Sequence, residues 1–397
     1  MTGSPGVQPC RELETRGGIW RNEAQRTGQV FSPDARYATG IRNAVGITVA
    51  PDGRTVYATQ HGRDQLSQNF PKLYTVEQGA ELPAEELLRL ESGADYGWPE
   101  CYFDDRQGKL VLAPEYGGDG GHAVGTCASR QAPVAAFPAH WAPDDVVIYG
   151  ARQFPSAFRG GAFIAFHGSW NRAPLPQGGY NLVFQPLAAG KADAHWIVFA
   201  EGFAGATKNP GDARHRPAGL AVGPDGALFV SDDERGRIWR IDYRGPADAA
   251  LASVAPGGDA PRSAAEQPPE GMHPSADTSV NVAQLRVPPG SDRAALALGA
   301  RVFAGEIGGA ACTGCHGNDG GGTPLGPDLT QGRWRWSDGS EAGLRQTIAA
   351  GVPKPKAYPG AMPAMGGAQL DDSQLQALAA YVWALGHSGE KKPRAAD

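Results

Sequence analysis

Residues 310–317 read AACTGCHG, with Cys312 and Cys315 three apart and His316 directly behind the second. Three chemistries use such a pair: a redox dithiol, half of a zinc site, or a haem anchor. A zinc site wants two more thiol or imidazole ligands at similar spacing, and a thioredoxin-like dithiol wants a βαβ context. The sequence offers neither. C-x-x-C-H instead fits covalent haem attachment. Two intervening residues let both sulfurs reach the vinyl positions on one side of a porphyrin, and the adjacent histidine lies under the iron. With 5 Cys and 9 His in 397 residues, random placement gives roughly one such match per thousand chains. The pentapeptide predicts haem c on Cys312 and Cys315, with His316 on the iron.

An electron-transfer haem wants a second axial ligand, usually a thioether. The chain has 4 Met, and two of them, Met362 and Met365, fall in YPGAMPAMGGAQL. A loop bracketed by Pro and Gly ahead of the last helix can hold a sulfur over the far haem face. Met362 is the expected iron ligand and Met365 the alternative.

These residues need a scaffold, and the pattern after Pro289 is helical. SDRAALALGARVFAG offers Ser291 or Asp292 as a cap, with Leu296, Ala300 and Phe303 following on one side. DDSQLQALAAYVWALGH offers Asp371, Asp372 or Ser373 as a cap and puts Leu375, Leu378, Val382 and Leu385 on one face. A helical domain over 291–390 follows. Before it, 244–290 is rich in Ala, Pro, Gly and Ser and reads as a linker.

Residues 1–243 have a different rhythm. RNAVGITVAPDGRTVYAT (42–59) and RPAGLAVGPDGALFVSDD (216–233) echo each other, each with Pro-Asp-Gly between two apolar runs. That is the chemistry of a β-hairpin turn. GAFIAFHGSWNR (161–172) is a third, weaker unit. Repeated hairpins predict propeller blades, the competing fold being a β-sandwich with a shared turn type. The fold class expected is therefore a mainly β propeller followed by an all-α cytochrome domain.

Charge and hydropathy exclude some partners. A net charge of -6 gives no footing for nucleic acid, and no run of about 18 apolar residues predicts a membrane span. The opening MTGSPGVQPC shows no export signal. Cys101 and Cys127 are near enough in sequence for a disulfide across a loop, or for two buried thiols.

ACTGCHG, GAMPAMGG and the terminal AAYVWAL together resemble class I c-type cytochromes. The resemblance implies that Pro327 in GPDL backs the proximal histidine. GIRNAVG, TQHGRDQL, GADYGWPECY, AFHGSWNR and RHRPAGLAVGPDGALFVSDD resemble the soluble pyrroloquinoline-quinone (PQQ) sugar dehydrogenases, the sorbosone-dehydrogenase-like branch in particular. That resemblance implies a six-bladed propeller holding PQQ and Ca²⁺. It places Arg42 and Asn43 against the cofactor from one blade, Arg214 and Arg216 from another, and Arg172 near the quinone. Guanidinium forks suit the three carboxylates of PQQ. Gly62 and Arg63 would offer backbone carbonyls to Ca²⁺. His61, His122 and His167 are candidate bases by composition, though a loop or core position accounts for each.

The family's propeller is about twice the length found before the linker. The catalytic base histidine, the export signal and a partner for Cys10 are therefore expected upstream of Met1, and the catalytic residue is unknown. The reading is a periplasmic quinohaemoprotein that oxidises a sugar, polyol or aldose and passes electrons through haem c to an external acceptor. Two alternatives are a haem c electron carrier whose partial propeller is a binding platform, and a Ca²⁺-dependent propeller hydrolase. The arginine-rich cofactor contacts argue against the second.

Overall fold

The computed structural model describes residues 6–251 and 280–387, apart from breaks at 173, 207, 209–212, 306, 309, 311, 318, 323–325 and 359–360. Most of the stretch read as a linker, 252–279, lies outside the described residues. Two compact units emerge, one within Pro5–Ser275 and the other within Ala276–Asp397.

Beside three two-stranded ribbons, the larger sheets of the first unit are three antiparallel meanders. One has the strands Ala44–Val49 (β1), Val56–Gln60 (β2), Glu85–Leu90 (β3) and Ala135–Phe137 (β4) in sequential order. The next has Pro143–Ile148 (β5), Ala162–Phe166 (β6), Asn181–Gln185 (β7) and Ile197–Ala200 (β8). The third has Pro217–Val222 (β9), Leu228–Asp232 (β10) and Ile238–Ile241 (β11). β1 packs beside β5, and β5 beside β9, as the inner strands of successive blades do. The hairpins read from sequence are β1–β2 and β9–β10. In the first, Asp52 Oδ1 accepts the N–H groups of Arg54 and Thr55, each at 2.9 Å, and Gly53 takes a φ of +69°, which a side chain would resist.

Burial follows the stacking. β6 and β7 are buried at every position, because sheets cover both of their faces. Phe163, Phe184 and Tyr149 fill the core between the second and third sheets, and Leu87, Phe137 and Ile164 the core between the first and second. Gly46 of β1 faces β5 so closely that a Cβ there would meet Asp145 Cα at 2.7 Å. Its neighbours on the opposite side, Val45, Ile47 and Val49, are 49%, 54% and 57% exposed. Cys101 and Cys127 form a disulfide, and Cys10 is free.

The second unit is helical: Arg293–Phe303 (α1), Cys312–His316 (α2), Glu341–Ala350 (α3) and Asp372–Gly386 (α4). Of the candidate caps, Asp292 accepts from Ala295 N, and Asp371 closes a capping box with Gln374. Leu375, Leu378, Val382 and Leu385 are buried, with Leu296 and Phe303 of α1 in the same core. Both ends of the 244–290 segment are built into folded units: Leu251 packs on the third sheet's core, and Leu285 is buried in the helical core. Among the described residues no helix is long and apolar enough to cross a membrane.

Candidate functional site

In the helical unit, Cys312, Cys315, His316 and Met362 line one crevice of about 1050 Å³ including its open mouth. Its floor is apolar, with Phe303, Leu344 and Leu378 among the lining residues, while Arg333, Arg335 and Lys356 stand at exposed positions. Pro327 accepts a hydrogen bond from His316 Nδ1 at 3.0 Å, so the ring is held and Nε2 is the nitrogen left for a metal. Burial lowers the pKa of His316, which keeps the imidazole neutral, the form that ligates. Burial raises the thiol of Cys312 to about 11 and that of Cys315 above its usual value. A redox dithiol needs the opposite shift. Met362 pairs with Val352 through two backbone hydrogen bonds of 2.7 and 3.0 Å. Met365 packs on the helical core but does not line the crevice. The sulfur, imidazole and apolar floor suit a haem.

In the sheet unit the sequence candidates separate into groups. Arg42 Nη1 donates to the Gly62 carbonyl at 2.8 Å, and Nη2 lies 3.6 Å from Asp64 Oδ2. Asn43 contributes backbone, its carbonyl accepting from His61 N at 3.0 Å. Arg216 donates to the carbonyls of His167 at 3.1 Å and Gly168 at 2.8 Å. The two clusters are linked by Asp144, which lies 3.2 Å from His61 Nε2 and 3.7 Å from His167 Nδ1. Arg172 is buried and donates to the carbonyl of Ala139 at 2.7 Å. Arg214 lines a separate cavity with Glu201, Arg237 and Trp239. The Arg63 side chain is buried against Glu115. His122 is exposed, its N–H held by Asp119.

The structure adds groups that sequence reasoning passed over. Asp64 takes Asn171 Nδ2 at 2.5 Å and lies 3.2 Å from His140 Nδ1. Burial would raise the Asp64 pKa, but His140, Arg42 and Asn171 outweigh it and hold it at about 2. Burial likewise opposes the charged form of His140, yet Asp64 keeps its pKa above the usual value. For His61, the Asp144 contact and Glu85 outweigh burial in the same direction. Fully buried Glu85 accepts the N–H of Gly62 at 2.8 Å and of Ala142 at 3.2 Å. It thereby ties the Gly62 turn to a segment where His140 and Ala142 have φ of +65° and +60°. Such left-handed conformations cost side-chain-bearing residues about 1–3 kcal/mol each and gather at functional sites. Asn171 Oδ1 is buried without a hydrogen-bond partner. Gly62 O, the Asp64 carboxylate and this orphaned amide oxygen are hard donors of the kind Ca²⁺ takes.

The TrAA12-like family model matches residues 21–244, more than half of the chain. The chain belongs to the TrAA12-like family. The model for cytochrome c oxidase, cbb3-type, subunit III matches 294–382, so a TrAA12-like domain and a cytochrome c domain share one polypeptide. An uncharacterised protein of Borreliella burgdorferi is 27% identical over 211 residues, covering 52% of this chain and 48% of its own. The PQQ-dependent pyranose dehydrogenase of Coprinopsis cinerea is 27% identical over 237 residues, 51% of this chain and 30% of its own. The holo PQQ domain of that pyranose dehydrogenase, as a solved structure, is 23% identical over 53% of this chain and 56% of its own, with a TM-score of 0.37. The chain thus spans about half or less of the length of the curated relatives it matches.

Proposed function

We propose that this TrAA12-like chain is a periplasmic quinohaemoprotein dehydrogenase that oxidises a sugar, polyol or aldose and hands the electrons through haem c to an external acceptor. One observation carries the reading: a TrAA12-like domain shares its chain with a C-x-x-C-H crevice that also presents Met362. When bound, PQQ supplies a two-electron acceptor and haem a one-electron relay. The chain's residues do the holding. Cys312 and Cys315 would anchor the porphyrin, His316, fixed by Pro327, would offer Nε2 to the iron, and Met362 on the same crevice would offer its sulfur. Arg42 and Arg216, from two clusters linked by Asp144 through His61 and His167, would carry positive charge to the PQQ carboxylates, while Gly62 and Arg63 carbonyls with Asp64 would hold Ca²⁺. A six-bladed propeller is the architecture this reading requires. A tethered haem raises the effective concentration of the electron acceptor without a docking interface.

The test is expression with periplasmic haem maturation, then a haem stain on a denaturing gel and haem reduction after addition of PQQ, Ca²⁺ and aldoses. Covalent haem is the expected result, with any reduction by sugar, slow in this chain, requiring PQQ. A colourless exported protein removes the electron-transfer reading. Covalent haem with no PQQ binding would favour the electron-carrier reading, in which the sheet unit binds partners.

A further inference from the structure

Arg42 is expected at a PQQ carboxylate and Gly62 at Ca²⁺, yet the structure sets one on the other. Arg42 Nη1 donates to Gly62 O at 2.8 Å and reaches His61 O at 3.5 Å, while Nη2 lies 3.6 Å from Asp64 Oδ2. The arrangement is fixed from behind. Gln60 Oε1 accepts the Arg42 backbone N–H at 2.7 Å, and Glu85 accepts that of Gly62 at 2.8 Å. Asp64 Oδ1 is held by Asn171 at 2.5 Å and lies 3.2 Å from His140, which leaves Oδ2 turned to the guanidinium.

The Gly62 carbonyl and an Asp64 carboxylate oxygen therefore meet on the Arg42 guanidinium, and Asn171, whose Oδ1 is unpartnered, holds the same carboxylate from its other oxygen. Ca²⁺ binds oxygen at about 2.3–2.6 Å. With a guanidinium nitrogen on the same Gly62 oxygen, the two cations would lie within about 5.5 Å of each other and share one carboxylate. Repulsion at such a separation, away from bulk water, is large enough to make them alternatives.

We propose that Gly62 O and the Asp64 carboxylate form a single cation seat that the Arg42 guanidinium and Ca²⁺ hold in alternation. Entry of Ca²⁺ turns Arg42 out towards a ligand carboxylate. Calcium and a carboxylate-bearing cofactor then bind cooperatively, each raising the other's affinity by the same factor. The identity of the cofactor rests on the proposed function; the seat rests on the geometry alone.

Calorimetric titration of the full chain with CaCl₂, first without PQQ, tests the seat. Arg42→Gln removes the competitor and is expected to bind Ca²⁺ about tenfold more tightly than wild type, whereas Asp64→Asn binds at least about tenfold more weakly. Arg42→Lys keeps the charge but loses the fork, so it falls between, and its circular dichroism controls for folding. At saturating Ca²⁺, Arg42→Gln binds PQQ more weakly and loses the calcium–PQQ coupling. Equal or weaker Ca²⁺ binding by Arg42→Gln, or no Ca²⁺ binding by any of these proteins, overturns the seat. If Arg42→Gln gains Ca²⁺ affinity but no protein binds PQQ, the seat stands and the quinone reading falls.

Discussion

The Arg63–Glu115 pair gives a prediction whose size follows from the geometry. Arg63 Nη1 and Nη2 meet Glu115 Oε2 and Oε1 at 2.5 and 2.8 Å, a two-pronged contact, and the side chains keep only 1% and 6% of their exposure. Glu115→Ala strands a guanidinium with almost no access to water, which costs about 3–5 kcal/mol. At about 2–4 °C per kcal/mol for a unit of this size, the sheet unit should melt about 6–20 °C lower. The double variant Arg63→Met/Glu115→Leu removes both charges and fills the space, and should return to within about 1 kcal/mol of wild type. Calorimetry on the wild type, both single variants and the double variant gives the coupling directly. A loss below about 1 kcal/mol for Glu115→Ala would show that the pair is not desolvated as the geometry implies. A double variant as unstable as the two single changes summed would show that packing, not charge, holds the site.

Three further outcomes are expected. Met362→Ala should remove the near-infrared sulfur-to-iron band of the oxidised haem protein and lower its potential, while Met365→Ala retains the band; the opposite ranking moves the ligand to Met365. Replacing Cys101 and Cys127 with serine frees a loop of sequence separation 26 and should cost about 3.5 kcal/mol in urea unfolding; no loss would mean that the unfolded chain is already confined there. The Thr55 hydroxyl, then the N–H groups of Thr55 and Arg54, lower the Asp52 pKa to about 2. Its contribution is therefore present above the unfolded carboxylate value and fades as pH falls towards 2. The Tm deficit of Asp52→Asn should be clear at pH 6 and shrink between pH 4 and pH 2; a constant deficit refutes the assignment.

The parts legible in the sequence are those with local causes. Pro-Asp-Gly sets its own turn, Asp371 caps its own helix, and Cys312, Cys315 and His316 need only one another's spacing. What stayed hidden needs separate elements to meet. Asp64 acquires its meaning from His140 and Asn171, which arrive from loops far along the chain. Glu85 looks like the first of two glutamates opening a strand until its carboxylate is found under the Gly62 turn. Arg172 was expected near a quinone because of its motif, while its buried guanidinium donates to the carbonyls of Ala139 and Pro176. Its neighbour Asn171 reaches Asp64 instead, a contact that only the packing decides.

The row of Val45, Ile47 and Val49 on β1 bears on how all of these experiments are read. Three branched side chains, each about half exposed, lie two residues apart along one side of a strand, a strip of hydrocarbon facing water. Environment-sensitive dyes report unfolding by settling on such surface. With this protein they will glow before any heat is applied, and the baseline will fall if a ligand, salt or neighbouring molecule covers the strip. A dye-based screen would then score crowding as stabilisation. Melting should be followed by calorimetry or tryptophan emission, and an Ile47→Thr variant that dims the cold signal without moving the calorimetric Tm would separate the two effects.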